Sequence, residues 1–277
     1  MQQKRSSNFC ASYGPWAVVA GASAGLGAEF ATQLARKGLN LVLIARRKEL
    51  MEELAEQLRN EYAREVRILP LDLARDDIET IIAEATSDLD IGLLVSIAAL
   101  SVVGPFFEQP LHDHVREIAV NCHAPLVLSY LFGRRMLTRR HGGIVLMSSL
   151  TSSQGTPLAA NYGATKAYSR ILAEGLWEEL RKQGIDVLVC AAGAIRTPTY
   201  LASLPDHSRS GISSVSLLSP RTVANEVLAA LGHRPLVIPG WKNRLGNLFL
   251  QRFLPHQLAI KFMGYVMRNV YGYPLMR

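Results

Sequence analysis

The chain has 277 residues, 49% of them hydrophobic and 19% charged, which suits a water-soluble globular protein with one large core. Its three cysteines lie far apart without a CxxC pair, and its seven histidines lack ligand-spaced partners; a disulfide framework and a structural metal are not expected, and a reducing cytoplasmic setting is. The formal charge of +7 sits entirely at the end, where Arg234 to Arg277 carry seven Lys/Arg and no acidic residue, without the aromatic stacking platform that nucleic-acid binding would need.

In chain order, Lys4 and Arg5 precede a polar Ser6-Ser7-Asn8 and no apolar run follows, so a signal peptide is not expected and residues 1–13 read as an extension. Trp16 to Ala20 reads as a buried strand, followed by a helix over 25–37 with Leu26, Phe30 and Leu34 near helical spacing. Leu41 to Ile44 is a second strand, 48–64 a charged helix, Val66 to Leu71 a third strand and 76–87 a helix with Ile78, Ile81 and Ile82 inward. Ile91 to Ile97 is a fourth strand. The uncharged run to Phe107 contains Gly92, Gly104 and Pro105, and reads as that strand and its loop rather than as a membrane span. A long helical region over 110–139, a strand at 143–147, a helix at 161–182, a strand at 185–191, a Ser-rich loop at 202–219, a helix at 220–231 and a short strand at 236–238 complete the run. Strands apolar on both faces, alternating with helices, predict an α/β fold: a Rossmann-like doubly wound parallel sheet in three layers, α/β/α. It occupies residues 14–240, with a C-terminal helical appendage over 241–277.

Two segments carry chemistry. Between the first strand and first helix stands Gly21-Ala22-Ser23-Ala24-Gly25-Leu26-Gly27, where glycines let the backbone approach a pyrophosphate held on the helix N-terminus. At the end of the second strand, where a cofactor lacking a 2′-phosphate is usually met by an acidic side chain, the chain has Arg46 and Arg47. Two guanidinium groups suit bidentate pairing to a 2′-phosphate, which points to NADP(H) rather than NAD(H). Asp72, after the third strand, is placed to meet the adenine amino group or to N-cap the next helix, though Asp76 is nearer that helix. Tyr162 and Lys166, at i and i+4, share one helix face. A nearby ammonium favours the phenolate, so the pair suits proton transfer in an alcohol–carbonyl interconversion. Ser149, thirteen residues before Tyr162 at the end of the fifth strand, is placed to donate to a substrate oxygen, with Ser148 on the opposite face. Asn121, polar amid Ile118, Ala119, Val120 and Cys122, either holds a water in a proton relay or kinks the helix.

These motifs, in this order over residues 14–240, resemble the short-chain dehydrogenase/reductase family in its single-domain, NADP(H)-preferring form. The family's TGxxxGxG pattern falls on Ala20 to Gly27, and its Asn-Ser-Tyr-Lys tetrad on Asn121, Ser149, Tyr162 and Lys166. The resemblance implies hydride transfer, proton relay through these four residues, and dimers or tetramers. It also implies a cofactor surface made by Gly21, Ser23, Ala24, Gly25, Leu26, Gly27, Arg46, Arg47, Asp72, Leu73, Ala98, Tyr162, Lys166, Ile195 and Thr197. Two scaffold motifs depart from the family. NNAG reads Ser96-Ile97-Ala98-Ala99, and the proline of the PG motif after the sixth strand is lost, the segment reading Ala192-Gly193-Ala194. Ile97 cannot make a side-chain hydrogen bond, so contacts there must differ.

The substrate lid falls on 198–219, where Leu201, Leu204, Ile212, Val215, Leu217 and Leu218 join Val102, Val103, Pro105 and Phe106 in an apolar set; no cluster of fixed charge lines it, with His207 and Arg209 as candidate polar contacts. An apolar ketone or secondary alcohol, steroid- or acyl-like, is the expected substrate. The tail over 241–268 reads as two amphipathic segments broken by Pro255. They either cover the substrate side or a subunit interface, or lie on a membrane surface through Trp241, Arg244, Arg252 and Lys261. The rival to an enzyme is a non-catalytic NADP(H)-binding regulator on the same fold. An epimerase or lyase would need a larger substrate domain.

Overall fold

A computed structural model describes residues 9–205 and 217–274. Seven parallel strands form one sheet in the order β3-β2-β1-β4-β5-β6-β7. They are β1 (Trp16–Ala20), β2 (Asn40–Ala45), β3 (Val66–Pro70), β4 (Ile91–Ser96), β5 (Gly142–Ser149), β6 (Ile185–Ala192) and β7 (Leu236–Val237). Between them run α1 (Gly25–Arg36), α2 (Lys48–Tyr62), α3 (Ile78–Ala85), α4 (Leu111–Ile118), α5 (Ala124–Arg139), α6 (Ala160–Leu180), α7 (Pro198–Ser203) and α8 (Pro220–Ala230). The tail forms α9 (Trp241–Arg252) and α10 (His256–Tyr271).

Alternation along β1 shows why both faces need cover. Ala17 and Val19 point into one core with Phe30, Leu34 and Val227; Val18 and Ala20 point into the other with Ile82, Phe132 and Ala173. The order reverses between β1 and β4, so the crevice beyond their carboxyl ends is the natural ligand site.

Several boundaries differ from the sequence expectation. α2 stops at Tyr62 because Ala63 adopts a left-handed conformation, φ 52°, and its N–H bonds back to Arg59 O. The segment before α3 is a turn held by Asp72, which accepts from the Ala74 N–H at 3.1 Å, so this aspartate caps a turn and not the helix. The helical region over 110–139 is divided by a π turn, Ala119–His123. Pro125 has no N–H to offer the Asn121 carbonyl, which instead accepts from Ser169 Oγ at 3.3 Å. Ahead of β1, the turn over 9–13 is part of the packed body: Tyr13 is buried and donates to Asp186 Oδ2 at 2.6 Å.

Candidate active site

The site is assembled at the carboxyl ends of β1, β4 and β5. Gly21 has φ +95°, and a Cβ there would stand 2.6 Å from the Ala98 nitrogen, so the end of β4 lies directly on the Gly-rich turn. Gly25 has φ +57° and faces Thr197, while any side chain at Gly27 would run into the Gly21 carbonyl. α1 begins at this turn with no side-chain cap and no acidic residue in its first turn. Its leading N–H groups, around Ala24, Gly25 and Leu26, therefore meet no acidic side chain from the helix's own first turn. That fits a dinucleotide pyrophosphate.

At the end of β2, Arg47 and Arg46 are exposed, and Arg47 Nη2 donates to Ser23 Oγ at 2.8 Å. This joins the end of β2 to the Gly-rich turn and gathers donors suited to a phosphate monoester. Asp72 is engaged by Arg116 Nη2 at 2.5 Å, so an adenine amino group would share it with that guanidinium. Leu73 turns its side chain into the core. Ile195 packs against the other core face, and Thr197 caps α7 by accepting from the Tyr200 N–H at 3.2 Å.

Ser149, Tyr162 and Lys166 come together as expected. Ser149 sits at the end of β5, close enough to the Tyr162 hydroxyl to favour its phenolate. Ser148 faces the other way, donating to the Lys166 carbonyl at 2.7 Å. The buried Lys166 ammonium lies 5.6 Å from the Tyr162 ring centre and donates to the Met147 carbonyl at 3.2 Å. Burial pushes Lys166 down to about 8, against the opposing pull of Cys122, Glu117 and Cys190. The expectation that Lys166 holds the phenol down is not met in the chain alone. Burial raises Tyr162 far above the usual phenol range, Tyr271 and Glu117 add to this, and the Ser149 hydroxyl pulls it back. With its proton lost near pH 8, the lysine is neutral by the time the phenol titrates.

Asn121 is buried and fully used. Its Oδ1 accepts from the Leu100 N–H at 2.9 Å, and its Nδ2 donates to Leu100 O at 2.8 Å and Thr165 Oγ1 at 3.0 Å. It thus pins the loop after β4 to α6, and its backbone carbonyl is the one freed by Pro125. Ile97 replaces the missing asparagine contact by packing into the core, while its N–H and that of Ala98 both donate to Ala20 O, at 2.8 and 2.9 Å. Gly193 lies under Asn243 of α9, so a tail side chain now covers the segment where the proline is lost.

Two groups escaped the sequence reading. Glu117, wholly buried, accepts from the Val102 N–H at 2.8 Å and from Asn161 Nδ2 at 2.5 Å. Burial pushes its carboxyl above the usual range, while Val102, Asn161, His114 and Lys166 pull it back. Tyr271, from the end of α10, reaches the electrostatic neighbourhood of Tyr162, Tyr200 and Ser203. Along α10, Ile260 lies against Gly155, Gly264 against Pro157, and Tyr273 beyond it against Gly104. The tail therefore walls the substrate side. Of the expected lid, Leu204 is buried and Leu218 half-buried; His207, Arg209, Ile212 and Val215 lie outside the described residues.

The family model of short chain dehydrogenase matches residues 15–206. The chain belongs to this family. A 7beta-hydroxysteroid dehydrogenase of Clostridium sardiniense is 31% identical over 86% of this short-chain dehydrogenase and 90% of its own length. An inactive hydroxysteroid dehydrogenase-like protein 1 of Rattus norvegicus is 31% identical over 90% and 74%, respectively. Among solved structures, one of a 7beta-hydroxysteroid dehydrogenase superposes with TM-score 0.86 at 27% identity, covering 92% of this chain and 98% of that one. A short-chain dehydrogenase from Sphingobium yanoikuyae in complex with NADPH superposes with TM-score 0.70 at 28% identity, covering 81% and 87%. Family and site together make the chain an oxidoreductase of the alcohol–carbonyl class.

Proposed function

We propose that this short-chain dehydrogenase interconverts an apolar ketone and its secondary alcohol with NADP(H), using Tyr162 as the proton donor and acceptor. The observation that carries the reading is the meeting of Ser149, Tyr162 and Lys166 beside the Gly-rich turn. When bound, the nicotinamide supplies or receives the hydride. Tyr162 gives its proton to the carbonyl oxygen in reduction and takes it back in oxidation. Ser149 donates a second hydrogen bond to that oxygen. Lys166, charged below about pH 8, favours the tyrosinate left behind, and the Asn121 carbonyl, which accepts from Ser169 Oγ, keeps a second lone pair for a water through which the proton is replaced.

NADP(H) is preferred because Ser23, Arg46 and Arg47 gather donors where no carboxylate stands. Gly21, Ala24, Gly25, Leu26 and Gly27 hold the pyrophosphate; Asp72 and Leu73 border the adenine; Ala98, Ile195 and Thr197 border the nicotinamide half. The apolar substrate class is supported by Val102, Val103, Leu201, Leu204 and Leu218 around the site, and by the steroid dehydrogenases among the relatives.

Residues 14–240 are read as the dehydrogenase domain and 241–277 as its appendage. Cys10, Cys122 and Cys190 are free thiols, which suits a cytoplasmic setting. A second copy of the chain is proposed against α4–α6, where Leu111, Val115, Ile118, Leu126, Tyr130 and Ile171 are exposed.

The deciding experiment is NADPH oxidation against a panel of carbonyls, with Tyr162→Phe as control. Turnover of lipophilic ketones that vanishes in the variant supports the reading. Equal turnover of small charged keto acids and lipophilic ketones removes the apolar substrate class. The second reading, a non-catalytic NADP(H)-binding regulator, draws on the relative described as inactive and on the altered Ile97 and Ala192–Ala194 segments. NADPH binding without turnover of any carbonyl would establish it.

A further inference from the structure

α9 faces the wrong way for a helix bathed in water. Its polar edge meets the protein: Asn243 stands over Gly193 after β6, and Asn247 Oδ1 accepts from Ser153 Oγ at 3.3 Å. Its apolar edge meets solvent. Trp241, Leu245, Leu248, Phe249 and Phe253 follow one another at helical spacing, and each is more than half exposed. α10 continues the pattern across Pro255, with Leu258, Phe262 and Tyr265 at i, i+4 and i+7, each about half exposed. Two consecutive helices presenting aromatic and aliphatic edges outward form a patch that a water-soluble surface does not carry without a partner.

Charge decides which partner. Lys242 and Arg252 lie within the outward arc of α9, and Lys261 borders Phe262 on α10; all three are exposed. Arg244 is spent on Glu226 at 3.1 Å, but no acidic residue occurs from Arg234 to the end of the chain. A second copy docked face to face would set basic groups against basic groups with nothing in either tail to neutralise them. An anionic headgroup layer neutralises them, and the acyl boundary beneath it takes the aromatic edge. Among the described residues no helix is long and apolar enough to cross a membrane, so the fit is to a surface.

We infer that the α9–α10 face docks the protein peripherally on an anionic lipid bilayer. The inner side of α10 walls the substrate side through Ile260, Gly264 and Tyr271, so docking sets the mouth of the site beside the bilayer. Direct entry of a lipid-dissolved carbonyl rests on the substrate class proposed above; the docking itself does not.

The test is sedimentation of the full-length protein with vesicles of phosphatidylcholine alone or of phosphatidylcholine mixed with phosphatidylglycerol. Two exposed-site variants are compared, Leu248→Ser/Phe249→Ser/Phe253→Ser and Lys242→Gln/Arg252→Gln/Lys261→Gln. NADPH turnover of a water-soluble ketone reports separately on the reading of function, and a thermal melt shows that both variants are folded. The expected result is binding to the mixed vesicles only, weakened about tenfold or more in each variant and by high salt. Equal sedimentation with both lipids, or variants that bind like the parent, overturns the inference. So does a fall in the lipid-free particle mass of the apolar variant, which would assign the face to a second copy.

Discussion

The Glu117 carboxylate accepts a hydrogen bond from Asn161 Nδ2 at 2.5 Å, one residue before Tyr162, the proposed proton donor. Its other oxygen holds the Val102 N–H, so a buried charge on α4 joins the loop after β4 to the start of α6. His114 on its own helix, Cys122 in the π turn, and Tyr162 and Lys166 on α6 all feel this charge. The negative charge raises the Tyr162 phenol, so removing it lowers the phenol. In Glu117→Gln, the rise of alcohol oxidation with pH and the alkaline fall of carbonyl reduction both move to lower pH, by less than about one unit. Rate profiles in both directions check this; superimposable profiles would mean the charge is not felt at the site.

Tyr162→Phe removes the proton while keeping the ring over Lys166. Turnover in either direction falls by about 10²–10⁴-fold, whereas NADPH affinity, measured by fluorescence titration, changes little.

Lys166 is held at about 8 by burial, below its ordinary value of 10.5. A basic group whose folded value is depressed binds fewer protons folded than unfolded between these limits. Its contribution to stability therefore rises with pH from about 8 to 10.5, and below 8 the buried charge costs the most. Lys166→Met should gain about 1–3 kcal/mol at pH 7 and lose about 10²–10⁴-fold in turnover. Urea unfolding of parent and variant at pH 7 and 10 checks it: the gap should narrow at the higher pH.

Arg47 joined to Ser23, with Arg46 beside it, predicts where cofactor choice resides. Arg46→Ala/Arg47→Ala should raise KM for NADPH by about tenfold or more and leave KM for NADH nearly unchanged, since each charge-assisted hydrogen bond contributes about 1.5–3 kcal/mol. An equal rise for both cofactors would show that the arginines only shape the turn.

Ile171 is exposed on the outer face of α6, so Ile171→Asp disturbs no core contact. If a second copy sits on α4–α6, this variant should lower the particle mass in light scattering without lowering the melting temperature of the isolated chain. An unchanged mass would place any subunit contact elsewhere.

The alternation of buried strand and amphipathic helix was legible because it depends on local period alone, and the sheet follows from it. Tyr162 and Lys166 were legible for the same reason: i and i+4 on a helix fixes their common face. Glu117 was not, because a lone carboxylate in the charged run around Arg116 reads as a solvated side chain until Val102 and Asn161 are brought against it. Nor was Tyr271, whose approach to Tyr162 depends on how α10 returns across the loops at Gly155 and Pro157. The spacing from Trp241 to Phe253 revealed an apolar edge but not its direction, since a helical period carries no sign. The break at Ala119–His123 falls at Asn121, where a kink is one of the two sequence readings; its cause was less legible, because Pro125 sits one turn beyond the carbonyl that it frees.

Ser149, Tyr162 and Lys166 all belong to one strand and the helix that follows it, whereas the wall beyond them is borrowed from the far end of the chain. The proposed chemistry and one wall of the substrate side are thus inherited on separate stretches of polypeptide. Changes in α9 and α10 can retune what is admitted without disturbing how it reacts, and an exchange of tails between homologues would be expected to move selectivity while leaving the proton machinery in place.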